Sequence, residues 1–422
     1  MQGVHTMVTT MTVILLAVNI LAQDSAEKSI LNKAMDLNQV TGAEAIRDRY
    51  RKMVSNRPEG KAVIDAADQA FKKAGSDNKP FNSNALLILG RAAFHLRKLD
   101  AGERFLKAYV ADARELQSPS KILMGYNALI FNLYEAGRFT ECEKICQELL
   151  DFNLPESADE EGVINKAKSN VLRRLLTCQA RNGKLAQAEE AVKRLERRGA
   201  LRPIGAADLR CRLLREAGKL DETLKAYQTL IDLVDNDEEI KDKEQKVEII
   251  DDLKYSMTGV LMEMKKVDQA TEILQALLKK EPDNATFNND LGYIWADNFK
   301  NLDKCEAMVR KAIEEDRKLR LKTKEKMGAD EPDDNASYLD SLGWVLFRNK
   351  KFSEAVKPLL DASRMDGGQN IEIYDHLGDV LVALGRKAEA IKAYETGIEL
   401  ASATRRDQAK KIDVEKKLKE LK

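Results

Sequence analysis

The sequence predicts an all-α fold, a solenoid of antiparallel helix hairpins, on three observations. The first is a repeat: residues 338–347 read Tyr-Leu-Asp-Ser-Leu-Gly-Trp-Val-Leu-Phe and residues 374–383 read Tyr-Asp-His-Leu-Gly-Asp-Val-Leu-Val-Ala. Their Leu-Gly pairs, Leu342-Gly343 and Leu377-Gly378, lie 35 residues apart, and a third pair stands upstream at Leu291-Gly292. Self-similarity at such a period marks a stack of supersecondary units that cannot bury their apolar faces singly. The second is period: apolar residues recur at helical spacing, strand-like alternation is scarce, and there are only eight Pro. The third is composition: 33% charged and 5% aromatic residues suit helices with much solvated surface and a core that grows along one axis.

Taken in order, the chain opens with an apolar run of twelve, Met11–Ala22. That is too short to cross a bilayer, which takes roughly 20 residues. It fits the apolar core of a secretory signal, with the cut after Ala22. Residues 1–22 are therefore expected to be a signal peptide, although the stretch before the run holds His5 and no Lys or Arg. The alternative is an apolar tail on a cytoplasmic chain that starts at Met7 or Met11. Residues 23–82 follow as an N-terminal helical cap, with a helix pair at 43–54 and 61–74. The repeat array spans 83–402 and carries charged insertions at 235–245 and 317–335, expected as solvated helix extension or loop. Residues 403–422 form a charged capping helix, with Ile412, Val414, Leu418 and Leu421 at helical spacing.

The best copy shows the hairpin. Its first helix, A, covers 336–348 and lines up Leu339, Leu342, Gly343 and Leu346 on one face. Asn349-Lys350 interrupts the pattern. The second helix, B, covers 353–365, with Ala355, Leu359 and Ala362 on one face. Small residues at Gly343 and Ala355 let the two backbones approach. This wording resembles the tetratricopeptide repeat, whose 34-residue unit wants Leu-Gly at positions 7 and 8, Ala at 20 and a large apolar residue at 24. Ala355 and Leu359 fill those last two slots in one copy, Ala390 and Tyr394 in the next. Laid on that frame, the chain yields about eight repeats, starting near 83, 123, 169, 204, 251, 285, 336 and 371. The last three match best; those from 123 to 251 lack the Gly.

The resemblance implies a right-handed superhelix and a binding role. In such arrays the A helices line the concave side, and their positions 5 and 9 face a bound partner. Carried over, these slots hold Asn289 and Tyr293, Asp340 and Trp344, then Asp375 and Asp379. They would make a stripe of amides, acids and aromatics that suits an extended peptide or a protein, with Tyr293 and Trp344 as anchors. The other reading packs Trp344 and Tyr293 between helices and leaves the acids solvated. The Lys and Asn with which some relatives clamp a C-terminal carboxylate are absent, since those slots hold Asp340 and Trp344, or Asp375 and Asp379. The wording also resembles repeat proteins of bacterial envelopes, which implies a periplasmic location.

Other functions find little support. Lys+Arg and Asp+Glu are both 70, so no overall field favours nucleic acid or an anionic membrane. Cys142 and Cys146 stand four apart, but they fill core slots of their repeat. Five cysteines exclude a complete disulfide framework. His376 with Asp375 and Asp379 resembles an acid–base cluster, yet no nucleophile motif, phosphate loop or zinc motif accompanies it. The sequence therefore predicts a non-enzymatic scaffold for a protein or peptide, with no cofactor, no metal, no nucleic acid and no membrane span. The alternative is a recruiting or regulatory subunit of an envelope-assembly enzyme complex.

Overall fold

The computed structural model describes residues 27–75, 79–152, 163–327, 334–365 and 367–422, so the expected signal peptide and residues 328–333 of the second insertion lie outside it. Among the described residues there are helices, turns and no strand. The chain is all-α, as the repeat pattern predicts. It divides into two compact units, Met1–Cys178 and Gln179–Lys422.

In the first unit, α1 (27–35) and a short 3-10 turn (Asp36–Gln39) lead into α2 (Ala43–Ser55) and α3 (Arg57–Ala74). The hairpins α4 (Ser83–His95) with α5 (Leu99–Glu115), and α6 (Pro119–Glu135) with α7 (Phe139–Asp151), follow, then most of α8 (Val163–Arg181). One continuous core runs through them, from Leu37 and Ile64 through Phe81, Leu89 and Phe105 to Tyr126 and Leu133. The lead-in is tied to this core by polar contacts as well. Asn38 donates from Nδ2 to the Pro80 carbonyl at 2.9 Å and accepts from the Asn82 amide at 2.8 Å. Cys142, Cys146 and Cys178 are buried in the same core as free thiols, small apolar fillers of the kind buried cysteines commonly are.

The second unit continues with α9 (Leu185–Arg197), α10 (Pro203–Glu216), α11 (Leu220–Asp235), α12 (Lys243–Glu263), α13 (Val267–Lys280) and α14 (Ala285–Asp297). Then come α15 (Leu302–Met327), α16 (Ala336–Arg348), α17 (Phe352–Arg364), α18 (Ile371–Ala383), α19 (Lys387–Leu400) and α20 (Arg405–Leu421). The insertion at 235–245 is a short connection that runs into the first turn of α12, where the Asp242 side chain caps the helix. The insertion at 317–335 begins as a continuation of α15, and Arg317 pairs with Asp334 across it at 2.6 Å.

One turn recurs between the helices of the hairpins. After each of α4, α6, α8, α10, α12, α14, α16 and α18, the turn residue takes positive φ: Arg97, Gly137, Gly183, Gly218, Lys265, Phe299, Lys350 and Gly385, with Asn301 a second after α14. The next amide reaches back five residues, as from Lys351 to Leu346 O at 2.9 Å and from Arg386 to Leu381 O at 2.9 Å. This is the Schellman ending, which satisfies carbonyls that the helix leaves open. The amide donor is Lys or Arg at all eight turns, a cation beside the negative end of a helix dipole.

The Leu-Gly signature has a simple cause. A Cβ placed on Gly343 would lie 2.4 Å from Leu359 Cγ, and one on Gly378 would lie 2.3 Å from Tyr394 Cε1. The large residue four positions after the Ala slot thus sits directly over the glycine. Ala355 and Ala390 are themselves wholly buried. The A helices α14, α16 and α18 each start from an Asn whose side chain accepts from the helix: Asn284, Asn335 and Asn370.

Candidate functional site

The three A helices of the C-terminal repeats bring Tyr293, Asp340, Trp344, Asp375 and Asp379 into one network, while Asn289 bonds its neighbour Asp290 instead. Helical spacing puts Asn289 and Tyr293 one turn apart on α14, as it does Asp340 and Trp344 on α16 and Asp375 and Asp379 on α18. His376 lies at the centre. Its ring stacks on Trp344, with centroids 4.0 Å apart and planes 18° apart, and lies 6.0 Å from the Tyr293 ring. Its Nδ1 is 2.8 Å from Asp340 Oδ1. Trp344 donates from Nε1 to Asp297 Oδ1 at 3.0 Å, and Arg348, which also holds Asp297, covers the indole from 4.5 Å. Tyr293 donates its hydroxyl to Glu372 Oε1 at 2.8 Å.

The acids have partners too, and most come from α20. Arg406 donates to Glu372 at 2.6 Å. Lys410 lies 3.2 Å from Asp375, and Lys417 holds Asp375 at 2.6 Å and Asp379 at 2.7 Å. Tyr394 of α19 donates its hydroxyl to Asp379 at 2.6 Å. Asn289 donates from Nδ2 to Asp290 at 3.0 Å. Its Oδ1, like Nε2 of His376, is buried without a hydrogen-bond partner among the described residues.

Burial sets the electrostatics. It favours the neutral form of His376, but the Asp340 carboxylate beside Nδ1, helped by Glu372, holds the imidazole above its ordinary value. Burial pushes Asp340 up, against the pull of His376. Glu372 is buried as well, yet the cations Arg406, His376 and Lys410 bring it down to about 2. Burial opposes the Lys410 charge, and Asp375 and Glu372 more than restore it. The site is thus an aromatic and carboxylate surface neutralised by cations.

The structure places the expected residues as follows. Asp340 and Trp344 are each 6% exposed and Asp375 only 2%, so these three lie inside the network, with Trp344 stacked between His376 and Phe347. Tyr293 is half-buried, and Asp379 lies at the edge beneath Lys417. Residues that the repeat frame did not single out are Glu372 and the three cations of α20, and Tyr394, which the frame gave only a packing slot, also bonds Asp379. A signal was present: Arg406, Lys410, Val414, Lys417 and Leu421 recur at spacings of three and four, one helix face of mixed basic and apolar character. No group of His, Cys, Asp and Glu suited to a metal occurs among the described residues. Nor is any described helix long and apolar enough to cross a membrane. A separate open cleft of about 790 Å³ lies by α15, α16 and α17, lined by Leu339, Leu342, Leu346 and Met365 with Arg317 and Lys357.

No family model matches the chain. It is similar to a TPR repeat-containing protein of Pseudomonas aeruginosa, 27% identical over 198 residues. That match covers 46% of this chain and 28% of the relative, so the chain spans under a third of that protein's length. Among solved structures, a tetratricopeptide repeat protein from Parabacteroides merdae aligns over 71% of this chain and 98% of its own, at 15% identity and a TM-score of 0.42. A TPR protein from Thermus thermophilus aligns over 49% of this chain and 93% of its own, at 16% identity and a TM-score of 0.35.

Proposed function

We propose that this chain, a tetratricopeptide repeat protein, is a non-enzymatic scaffold that binds a protein or peptide on the A helices of its last three repeats. The observation that carries this reading is the stripe on α14, α16 and α18, where Tyr293, Asp340 and Trp344 meet around His376 and Asp375 and Asp379 share Lys417. The half-buried Tyr293 supplies contact area and Asp379, at the edge, an acceptor for Lys, Arg or backbone donors of a partner, with Asp340, Trp344 and Asp375 packed behind them. On this reading residues 23–82 cap the array, 83–402 form it and 403–422 close it. Residues 1–22 direct export to the periplasm.

Affinity capture with the mature chain, followed by mass spectrometry, identifies the partner. Calorimetric titration of that partner then tests the site. Trp344→Ala weakens binding by about 2 kcal/mol or more, Asp379→Lys weakens it further at low salt, and Cys142→Ala leaves it unchanged. Melting curves recorded alongside separate lost affinity from lost folding, since Trp344 is also well packed. Unchanged affinity in both site variants would move the site elsewhere. Edman sequencing of native protein starts near Gln23 if the export reading holds; an intact Met1 or Met11 reverses it.

A further inference from the structure

We propose that the A-helix face of α18, with its neighbours α14 and α16, is a receptor for a basic amphipathic helix, and that α20 is the chain's own occupant of it. An incoming helix of the same pattern replaces α20. This rests on the placing of the partner site given above and names the class of partner.

The face itself specifies the ligand. Glu372, Asp375 and Asp379 follow one another along α18 at spacings of three and four, on one side of the helix. Asp375 is 2% exposed and Glu372 is largely covered. Carboxylates enclosed this closely need cations. In α20 every cation of the stripe meets one of them: Arg406 meets Glu372, Lys410 meets Asp375, and Lys417 meets both Asp375 and Asp379. The apolar members of that stripe pack beside them. Val414 is fully buried against Ile371 and Tyr394, with Leu418 and Leu421 at the margin. The ligand pattern is therefore Arg or Lys at i, i+4 and i+11, with apolar residues at i+8 and i+15.

The seat is built for exchange rather than for permanence. Val414 is the single buried residue of α20, and Ile412 on its outer side is 68% exposed. By contrast α18 buries eight residues, Ile371, Ile373, Leu377 and Leu381 among them. A helix with one buried side chain and an exposed outer face belongs among the less stable parts of a structure, and its charge pairs are the contacts that an incoming basic helix would remake. The start of α20 has two further ties, both to backbone carbonyls: Arg405 donates to Glu216 O at 3.1 Å, and Arg181 donates to Ala403 O at 2.7 Å. Resident and incoming helices need the same carboxylates, so they exclude each other. The resident helix lowers the apparent affinity of the ligand by the fraction of time the seat is open.

The test uses a fluorescein-labelled synthetic peptide of residues 403–422 as probe. The hosts are the full chain and the full chain carrying Arg406→Glu, Lys410→Glu and Lys417→Glu, whose own α20 is repelled from the seat. By fluorescence anisotropy the peptide binds the triple variant at least about tenfold tighter than the unmodified chain, and added salt weakens the complex. Adding Asp375→Lys and Asp379→Lys to the triple variant abolishes binding. Equal binding to the two first hosts, or binding indifferent to Asp375→Lys and Asp379→Lys, overturns the proposal. Hydrogen exchange on the unmodified chain makes the test independent of how the variants fold. Salt speeds exchange of the α20 amides while α18 and α19 stay protected; α20 that opens only together with α18 and α19 overturns the proposal. A captured partner that needs Asp379 while the peptide fails to bind removes the helix as ligand and leaves the site. A partner indifferent to both Trp344 and Asp379 removes the site as well.

Discussion

Gly343 and Gly385 are both glycines for steric reasons, but the reasons differ. At Gly343 there is no room, since an added Cβ would stand 2.4 Å from Leu359 Cγ. At Gly385 there is room, with nothing within 4 Å of the Cβ position, but φ is +72°. Gly343→Ala is expected to cost about 1–3 kcal/mol through overpacking, and Gly385→Ala about 1–2 kcal/mol through backbone conformation. Truncating Leu359 to Ala in the same chain offsets part of the first loss and none of the second. Urea melts of the two single and two double variants check this; equal offsets would show that crowding is not the reason at 343. His376 makes a second prediction. Its folded-state value lies above its unfolded value of about 6.5. The stability it adds is therefore complete below about pH 6.5 and is lost as pH rises through the folded-state value. The groups that face it are Asp340, Glu372, Lys410, Tyr293 and Trp344. Denaturant melts followed by tryptophan fluorescence are expected to lose stability as pH rises above about 6.5, and His376→Gln removes that slope. A slope that survives the substitution would assign it to another group.

At the scale of the element, the helix ends carry most of the local instruction. The Asn370 side chain accepts from the Ile373 amide at 3.1 Å and starts α18. Asn370→Ala is expected to cost about 1 kcal/mol, and Asn370→Asp to keep most of the stability, because an acid suits the positive end of the helix. Thermal melts decide between them, and an Ala variant as stable as the Asp variant would show the cap to be idle. Helix pairs were legible in the sequence for this reason: Leu-Gly and the Ala slot are local signals, whereas the basic residue at each turn showed itself only in the structure. Lys351 of one such turn reaches Glu306 of the preceding B helix at 2.8 Å, and Lys300 reaches Asp268 in the same way. These exposed rungs link neighbouring repeats, and solvent screening keeps each of them weak. The seating of α20 was not legible. Its charge pattern reads equally as a solvated cap, and only the carboxylates of α18, 34 to 42 residues away in sequence, give the stripe a direction.

For the molecule as a whole, stability is a sum of repeat and neighbour contributions rather than one cooperative core. Both tryptophans, Trp295 and Trp344, lie in the second compact unit, whereas helical circular dichroism reports on both units. Urea curves followed by tryptophan fluorescence and by far-ultraviolet circular dichroism are therefore expected not to coincide. A single shared transition would show that the two units unfold together.

The sequence by itself determined the helical class, the hairpin as the building block and the glycines that let its helices close. These depend on steric fit and backbone geometry within about one repeat, which a period of 35 residues displays directly. It also named the acids and aromatics of the A helices, because equivalent positions of stacked repeats must line up. Only the tertiary structure decided what those residues touch. Asp340 meets His376 across two helices, Trp344 stacks on that histidine, and Asp375 and Asp379 are claimed by Lys417 of the last helix. The reason is physical: a charge pattern states what a surface needs, but the partner that meets the need is chosen by which chain segments the fold brings within a few ångströms.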